Sequence, residues 1–124
     1  MITGFVALCA AMRVALGLAP ILAPGPASRL LGFPPEHDNS TARIMGGLFG
    51  VRDVGLGALV FAALGGVVPL GFALLFNAAH DAGDACVIGL PVLRGEAQDR
   101  GARLSLLFAA LGGLAWIVAW AATR

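Results

Sequence analysis

Four stretches of this sequence are apolar over about 20 residues each, the length that an α-helix needs to cross the hydrocarbon core of a bilayer. They lie at residues 2–22, 41–64, 67–89 and 102–122. The chain is 59% hydrophobic and only 12% charged, whereas soluble domains carry about 25% charged residues. There is too little charge to cover a water-facing surface. We therefore predict an all-α, integral membrane four-helix bundle that forms a single domain over residues 1–124.

Local signals mark where these helices begin and end. Asn39 is a natural N-cap for the second helix and Asp99 for the fourth. Gly65-Gly66 predicts a tight turn, Pro69 suits the first turn of the third helix, and Pro91 is expected to close it. Because the link between the second and third helices is so short, we expect antiparallel, up-and-down hairpins.

The distribution of arginines predicts the orientation, because loops rich in Arg and Lys stay in the cytoplasm. The first and third loops hold Arg29, Arg43, Arg94, Arg100 and Arg103. The opposite side holds only Arg124. We therefore predict that loops one and three are cytoplasmic and that both termini face outward. The eight basic residues are all arginines, which is typical of a GC-rich bacterial genome, so the expected location is the bacterial inner membrane.

Three further features favour a multi-pass membrane protein. The first segment has no basic residue before its apolar run and carries Arg13 at its centre, so we interpret it as a retained helix rather than a signal peptide. The segment "PASRLLGF" predicts a short helix lying in the interface. Trp116 and Trp120 fit an aromatic belt at the outer interface.

Several ionisable side chains fall inside the apolar stretches. Each ionised group at the bilayer centre costs roughly 2.5–3.5 kcal/mol on insertion scales, so these groups are expected to face one another across the bundle. With Arg43 included, three arginines would balance three aspartates. The residues are Arg13 on the first helix, Arg43, Arg52 and Asp53 on the second, and Asn77, His80, Asp81 and Asp84 on the third.

Helical spacing supports this convergence. One stripe of the third helix carries Asn77, Asp81, Asp84 and Ile88. A stripe of the second helix carries Arg43, Gly46, Gly50, Asp53 and Gly57, and its small residues allow a neighbouring backbone to approach closely. On the first helix, Cys9, Arg13 and Gly17 share a face. The fourth helix has no ionisable residue in its interior and is expected to form an apolar wall.

The run "RIMGGLFGVRDVGLGALV", Arg43 to Val60, resembles the signature of small bacterial four-helix membrane proteins that are grouped as a domain of unknown function. The matching core is Gly50-Val51-Arg52-Asp53-Val54-Gly55-Leu56-Gly57. A preceding "RLLGFP" element and an acidic third helix that ends in "LRG" are also similar. The resemblance covers most of the chain. It implies the four-helix fold and the importance of Arg52 and Asp53, and it brings no established activity, substrate or cofactor.

The charged residues have either a structural or a functional role, and the sequence leaves both interpretations open. As a structural feature, Arg52-Asp53 locks a helix into the bundle, and Asp81 and Asp84 are counter-charges for Arg13 and Arg43. As a functional feature, two acids three residues apart repel each other, so one can hold a proton and act as an acid or base. His80, one turn from Asp84, is then a candidate general base.

Other sites are weaker. A metal site from His80 and the two aspartates lacks a second histidine, and no cofactor is expected. Scattered arginines offer no basic patch for nucleic acid. Ala109 and Gly113 on the fourth helix serve either packing within the bundle or a homodimer contact.

Three functional hypotheses follow. In the preferred one, Arg13, Arg43, Arg52, Asp53 and Asn77 line a polar pocket that binds a lipophilic small molecule, or serves an accessory role in a larger membrane complex. In the second, Asp81, Asp84 and His80 are catalytic in an isomerase or cyclase acting on a bilayer-soluble substrate, while arginines stabilise developing negative charge. The third is a small proton-coupled exporter.

Overall fold

Long apolar runs bounded by proline, glycine and capping residues give this chain its helices. The computed structural model describes residues 1–124 and contains α-helices and one 3-10 turn, with no strands. The helices are α1 (Ile2–Leu22), α2 (Pro24–Leu31), α3 (Ser40–Leu64), α4 (Leu70–Leu93) and α5 (Arg100–Ala122), and the 3-10 turn covers Pro35–His37. Four of the five are longer than 20 residues, and α2 is the short helix predicted for the first loop.

Both predicted N-caps are confirmed. The Ala42 backbone N–H donates to Asn39 Oδ1 at 2.9 Å, and the Ala102 N–H donates to Asp99 Oδ1 at 2.9 Å. Each cap satisfies a backbone donor that has no partner inside its helix. Since Asp99 is the cap, α5 begins at Arg100, two residues before the predicted start at residue 102.

The predicted bounds of the third long helix, 67–89, are wrong at both ends. Pro69 is the N-cap residue with extended backbone angles (φ −60°, ψ 131°), so α4 begins at Leu70. At the other end, α4 continues past Pro91 to Leu93. A proline so close to the end of a helix removes only one hydrogen bond. The chain turns at Gly95, whose φ of +74° is favourable only for glycine.

The long helices pack as two pairs, α1 along α3 and α4 along α5. Glycines allow the close approach of the first pair: a Cβ atom at Gly17 would lie 2.6 Å from the Gly50 carbonyl oxygen, and Gly57 packs against Val14. Gly46, predicted to belong to this contact, is looser, since its nearest neighbour would be Pro20 at 3.6 Å. Although a short turn joins α3 to α4, these two helices contact each other less than either contacts its pair partner.

An apolar core lies toward the end of the molecule that carries the α3–α4 turn. All four long helices contribute, and the residues are Val6, Ala10, Val60, Ala63, Ala73, Leu74, Ala78, Trp116 and Ala119. Trp116 is 3% exposed, so its predicted place in an aromatic belt is wrong: the indole fills the core. Trp120 packs against the same cluster and is half-buried.

The first loop and the α4–α5 link lie at the opposite end. The Phe33 ring packs on Gly101, and Gly32 lies beside the Arg100 side chain. The contact between α2 and α5 therefore brings together the two connections in or next to which five of the eight arginines lie. The molecule has an apolar core toward one end and a polar, charged layer at the other.

Three helices, α1, α3 and α5, are long and apolar enough to cross a membrane. α4 is equally long, but its central polar residues lower its mean hydropathy. Only 21 of the 124 residues are buried, and the exposed surface includes many large apolar side chains such as Leu8 and Val118. An exterior of this kind suits hydrocarbon rather than water, which indicates a membrane protein.

We predict that Gly17→Ala lowers the midpoint of thermal unfolding, because the added methyl group would meet the Gly50 carbonyl and the Asp53 Cβ atom, which would be 2.9 Å away. Overpacking of this kind typically costs about 1–3 kcal/mol. The matched control is Gly47→Ala on α3, where an added Cβ atom meets nothing within 4 Å. We expect that control to unfold at the same or a higher temperature, since alanine favours helix. Equal losses in both variants would contradict the proposed close contact.

Candidate functional site

A buried guanidinium joins three helices near the middle of the molecule. Arg13 on α1 donates from Nη1 to Asp81 Oδ2 at 2.9 Å and from Nη2 to Asp81 Oδ1 at 2.8 Å, a two-pronged pair with α4. The same Nη2 donates to Asp53 Oδ1 on α3 at 3.2 Å. All three side chains are less than 10% exposed. The predicted convergence of charged faces on α1, α3 and α4 is therefore confirmed for these residues.

A second ion pair continues this cluster toward the surface. Arg52 donates from Nη1 and Nη2 to the two carboxylate oxygens of Asp84, at 2.9 and 2.6 Å. Its Nη2 also lies 3.8 Å from Asp53 Oδ1, and its guanidinium stacks on the Phe49 ring at 4.8 Å. The Arg52 side chain is 34% exposed and that of Asp84 is 20% exposed.

Together these side chains form a line of alternating charge, which we call the ion chain: Asp81, Arg13, Asp53, Arg52 and Asp84. It contains three carboxyl groups and two guanidinium groups. Asp53 stands at the centre, in contact with both arginines. The charges in the ion chain do not balance if every group is ionised.

The missing charge was expected from Arg43, and that expectation is wrong. Arg43 forms a two-pronged pair with Asp38 in the first loop, with Nε–Oδ1 and Nη2–Oδ2 distances of 2.8 and 3.0 Å. The hydrogen bond from Arg43 lowers the pKa of Asp38 below its usual value. Because Arg43 lies near the start of α3, it pairs with Asp38 of the adjacent loop and does not contact the charged groups at the centre of the bundle.

Asp84 does not orient His80 as a general base. Its Nδ1 lies 3.0 Å from the Phe76 carbonyl oxygen one turn earlier, and its ring meets the Phe76 ring edge-on at 4.6 Å. The oxygens of Asp84 are held by Arg52 instead. No three His, Cys, Asp or Glu side chains cluster in a way that could hold a metal ion.

Asn77 fastens α4 to α3 one turn away from the ion chain. Its Nδ2 donates to the carbonyl oxygens of Ala73 and Leu56, at 2.9 and 3.3 Å. The residue is fully buried, and its Oδ1 has no hydrogen-bond partner. Asn77 lies on the predicted polar stripe of α4, and its hydrogen bond to Leu56 joins α4 to α3.

A cavity of about 560 Å³ lies between α4 and α5, next to the ion chain. Its walls are mainly alanine and leucine side chains, and Asp81 is the one charged residue that lines it. The polar pocket that the sequence predicted is therefore not this cavity, because none of its predicted lining residues is in the walls: Arg13, Arg43, Arg52, Asp53 and Asn77. Ala109 and Gly113 both line this cavity, and a Cβ atom at Gly113 would lie 3.4 Å from the Asp81 Cβ atom. The packing role considered for these two residues therefore has a physical basis.

Sequence reasoning missed two residues of this region. A Cβ atom at Gly112 would lie 2.8 Å from Asp81 Oδ2, so α5 can approach the carboxylate only with glycine there. The adjacent glycines Gly112 and Gly113 were the sequence signal for a close approach of α5 to another helix. The second is Asp38. It lies five residues before Arg43, and this short separation in sequence was the signal for the pair described above.

A family model described as "Domain of unknown function (DUF4267)" matches residues 10–123, so the chain belongs to this family. The match includes every member of the ion chain. Neither a curated protein nor a solved structure matches the chain.

We predict that Asp81→Asn destabilises the protein more than Asp84→Asn does. An asparagine accepts hydrogen bonds through one oxygen only, so one Arg13 N–H group would face the new amide N–H₂ group inside a buried site. A buried donor left without an acceptor costs about 1–3 kcal/mol. Asp84 is more exposed, so solvent can compensate part of its loss.

The measurement is the free energy of unfolding in mixed detergent micelles. Asp38→Asn is the control, because it removes an exposed pair with Arg43 outside the ion chain and exposed pairs contribute little. A loss for Asp81→Asn that is no larger than the loss for Asp38→Asn would contradict a stabilising role of the Arg13 pair.

Proposed function

We propose that this protein crosses the membrane four times and binds a lipophilic small molecule in the cavity between α4 and α5, with Asp81 receiving the polar head of that molecule. The cavity carries the proposal. Its volume of about 560 Å³ lies within the 300–1,000 Å³ typical of small-molecule sites, and such sites are mostly apolar with a few polar groups that orient the ligand.

The fourth span is α4. Its central polar residues are the reason for its lower mean hydropathy, and both of its aspartates are engaged by arginines of α1 and α3. An ion pair formed inside the protein offsets much of the cost that each charge would have in hydrocarbon. With four spans and a short α3–α4 turn, both termini lie on one side of the membrane. The arginine-rich end then lies in the cytoplasm by the positive-inside rule.

The chemistry of the cavity limits the ligand. Alanine side chains such as Ala78, Ala82 and Ala110 leave room for a hydrocarbon body. Each Asp81 oxygen receives one hydrogen bond from Arg13 and has a further lone pair available. The head group that fits is therefore a hydrogen-bond donor such as a hydroxyl, an amide or an amine.

The cavity is a groove that opens broadly onto the surface of α4 and α5, and these helices lie in hydrocarbon in this proposal. A bilayer-soluble molecule can then enter sideways without crossing water. We prefer binding to catalysis because both aspartates of α4 are held by arginines and His80 does not line the cavity. The isomerase, cyclase and exporter alternatives have no observation of their own.

Self-association in the membrane has one specific observation in its favour. Arg52 and Asp84 form an ion pair near the middle of two long helices, and their side chains are 34% and 20% exposed. In hydrocarbon, exposed charge is costly. A second copy of the chain that packs against this face would cover the pair.

We predict that Ala110→Phe, which fills the cavity from α5, removes a small molecule that co-purifies with the protein. Mass spectrometry of the gently extracted protein measures this. The control is Ala121→Phe, an exposed alanine of the same helix that does not line the cavity, and it should retain the molecule. If the unmodified protein carries no lipophilic molecule, or if both variants carry it equally, the cavity is not the binding site.

We predict that the protein is a dimer in mild detergent and that Val87→Trp makes it monomeric. Val87 is 73% exposed and lies one turn after Asp84, so a large ring there would prevent a second copy from covering the ion pair. Light scattering measures the mass. Val118→Trp on α5, at a site that is also exposed, should remain dimeric. A monomeric unmodified protein would exclude this assembly.

A further inference from the structure

We infer that Asp53 is a proton-binding site, and that its carboxyl group carries a proton on Oδ2 when the protein rests at neutral pH. This assignment goes beyond ligand binding at Asp81, because it gives the acid–base group of the ion chain to a different residue. Charge counting is the first argument. Three carboxyl groups face two guanidinium groups, so one bound proton makes the ion chain neutral.

The hydrogen bonds show which carboxyl group takes that proton. Asp81 uses both oxygens to accept from Arg13, and Asp84 uses both oxygens to accept from Arg52. A proton on either would break one prong of a charge-assisted pair. Asp53 accepts one hydrogen bond, from Arg13 to Oδ1, and no donor reaches its Oδ2. Protonation at Oδ2 leaves every existing hydrogen bond in place.

No other positive group is positioned to supply the charge. The groups that face Asp53 are Arg13 on α1, Arg52 on its own helix and Asp81 on α4. α5 carries ionisable side chains only in its first turn. Arg43 is engaged by Asp38. Since Asp53 is 5% exposed, a net negative charge at this point would have no water to screen it.

The proton gives the site a chemical capacity that the paired aspartates lack. A neutral Asp53 can lose its proton, and its carboxylate then lies between two guanidinium groups that stabilise the charge. Asp53 is therefore the group in this cluster that can release and take up a proton, while Asp81 and Asp84 keep their ion pairs.

Infrared spectroscopy tests the inference directly. We would label the protein with aspartate that carries carbon-13 in the side-chain carboxyl group, so that protonated Asp is distinguished from lipid esters. At neutral pH we expect one labelled C=O band of a protonated carboxyl group in the unmodified protein. Asp53→Asn should lose that band, and Asp38→Asn, outside the ion chain, should keep it. Absence of the band in the unmodified protein would overturn the inference.

The thermal stability of asparagine variants distinguishes a proton on Asp53 from a proton on Asp81. Asparagine has the shape of a protonated aspartic acid, so Asp53→Asn should unfold at the same midpoint as the unmodified protein. Asp81→Asn also balances the charge and should lose the band, but it breaks a two-pronged pair and should unfold earlier. The opposite order, with Asp53→Asn unfolding early and Asp81→Asn unaffected, would place the proton on Asp81 and overturn the assignment.

Discussion

The two-pronged pair between Arg13 and Asp81 is the interaction on which the rest of this structure depends. It links the α1–α3 pair of helices to the α4–α5 pair and orients the same guanidinium toward Asp53. Without it, α4 would carry an unpaired charge in a largely apolar molecule, at a cost of several kcal/mol. This contact holds Asp81 where it lines the adjacent cavity, and it pairs one of the two guanidinium groups of the ion chain.

Much of the fold could be predicted from the sequence, because its signals are local or periodic. Continuous apolar runs determine the four long helices, and Asn39 and Asp99 cap helices within three residues of themselves. The meeting of Arg13, Asp53 and Asp81 was also predictable, since buried charge must be paired and helical spacing places these residues on facing stripes. In each case the physical requirement leaves few alternatives.

The details that could not be predicted depend on competition between partners. Arg43 had acids available in the loop and in the bundle, and only the conformation of the first loop shows that Asp38 lies closer. Trp116 occurs near a helix end, where a belt and a core look alike in sequence; the packing of α5 against the other helices decides between them. The cavity is formed by two helices at once, so no single stretch of sequence reveals it.

The sparse contact between α3 and α4 affects how the molecule can come apart. In a bilayer, lipid tails replace apolar contacts between helices at little cost, since hydrocarbon solvates both surfaces equally well. Besides the apolar core that they share, the halves built from α1 with α3 and from α4 with α5 are held together by buried polar bonds: two arginine forks and the Asn77 amide. Water that entered between the two halves would weaken every one of these bonds, so the halves stay joined only while water is excluded from the interface between them.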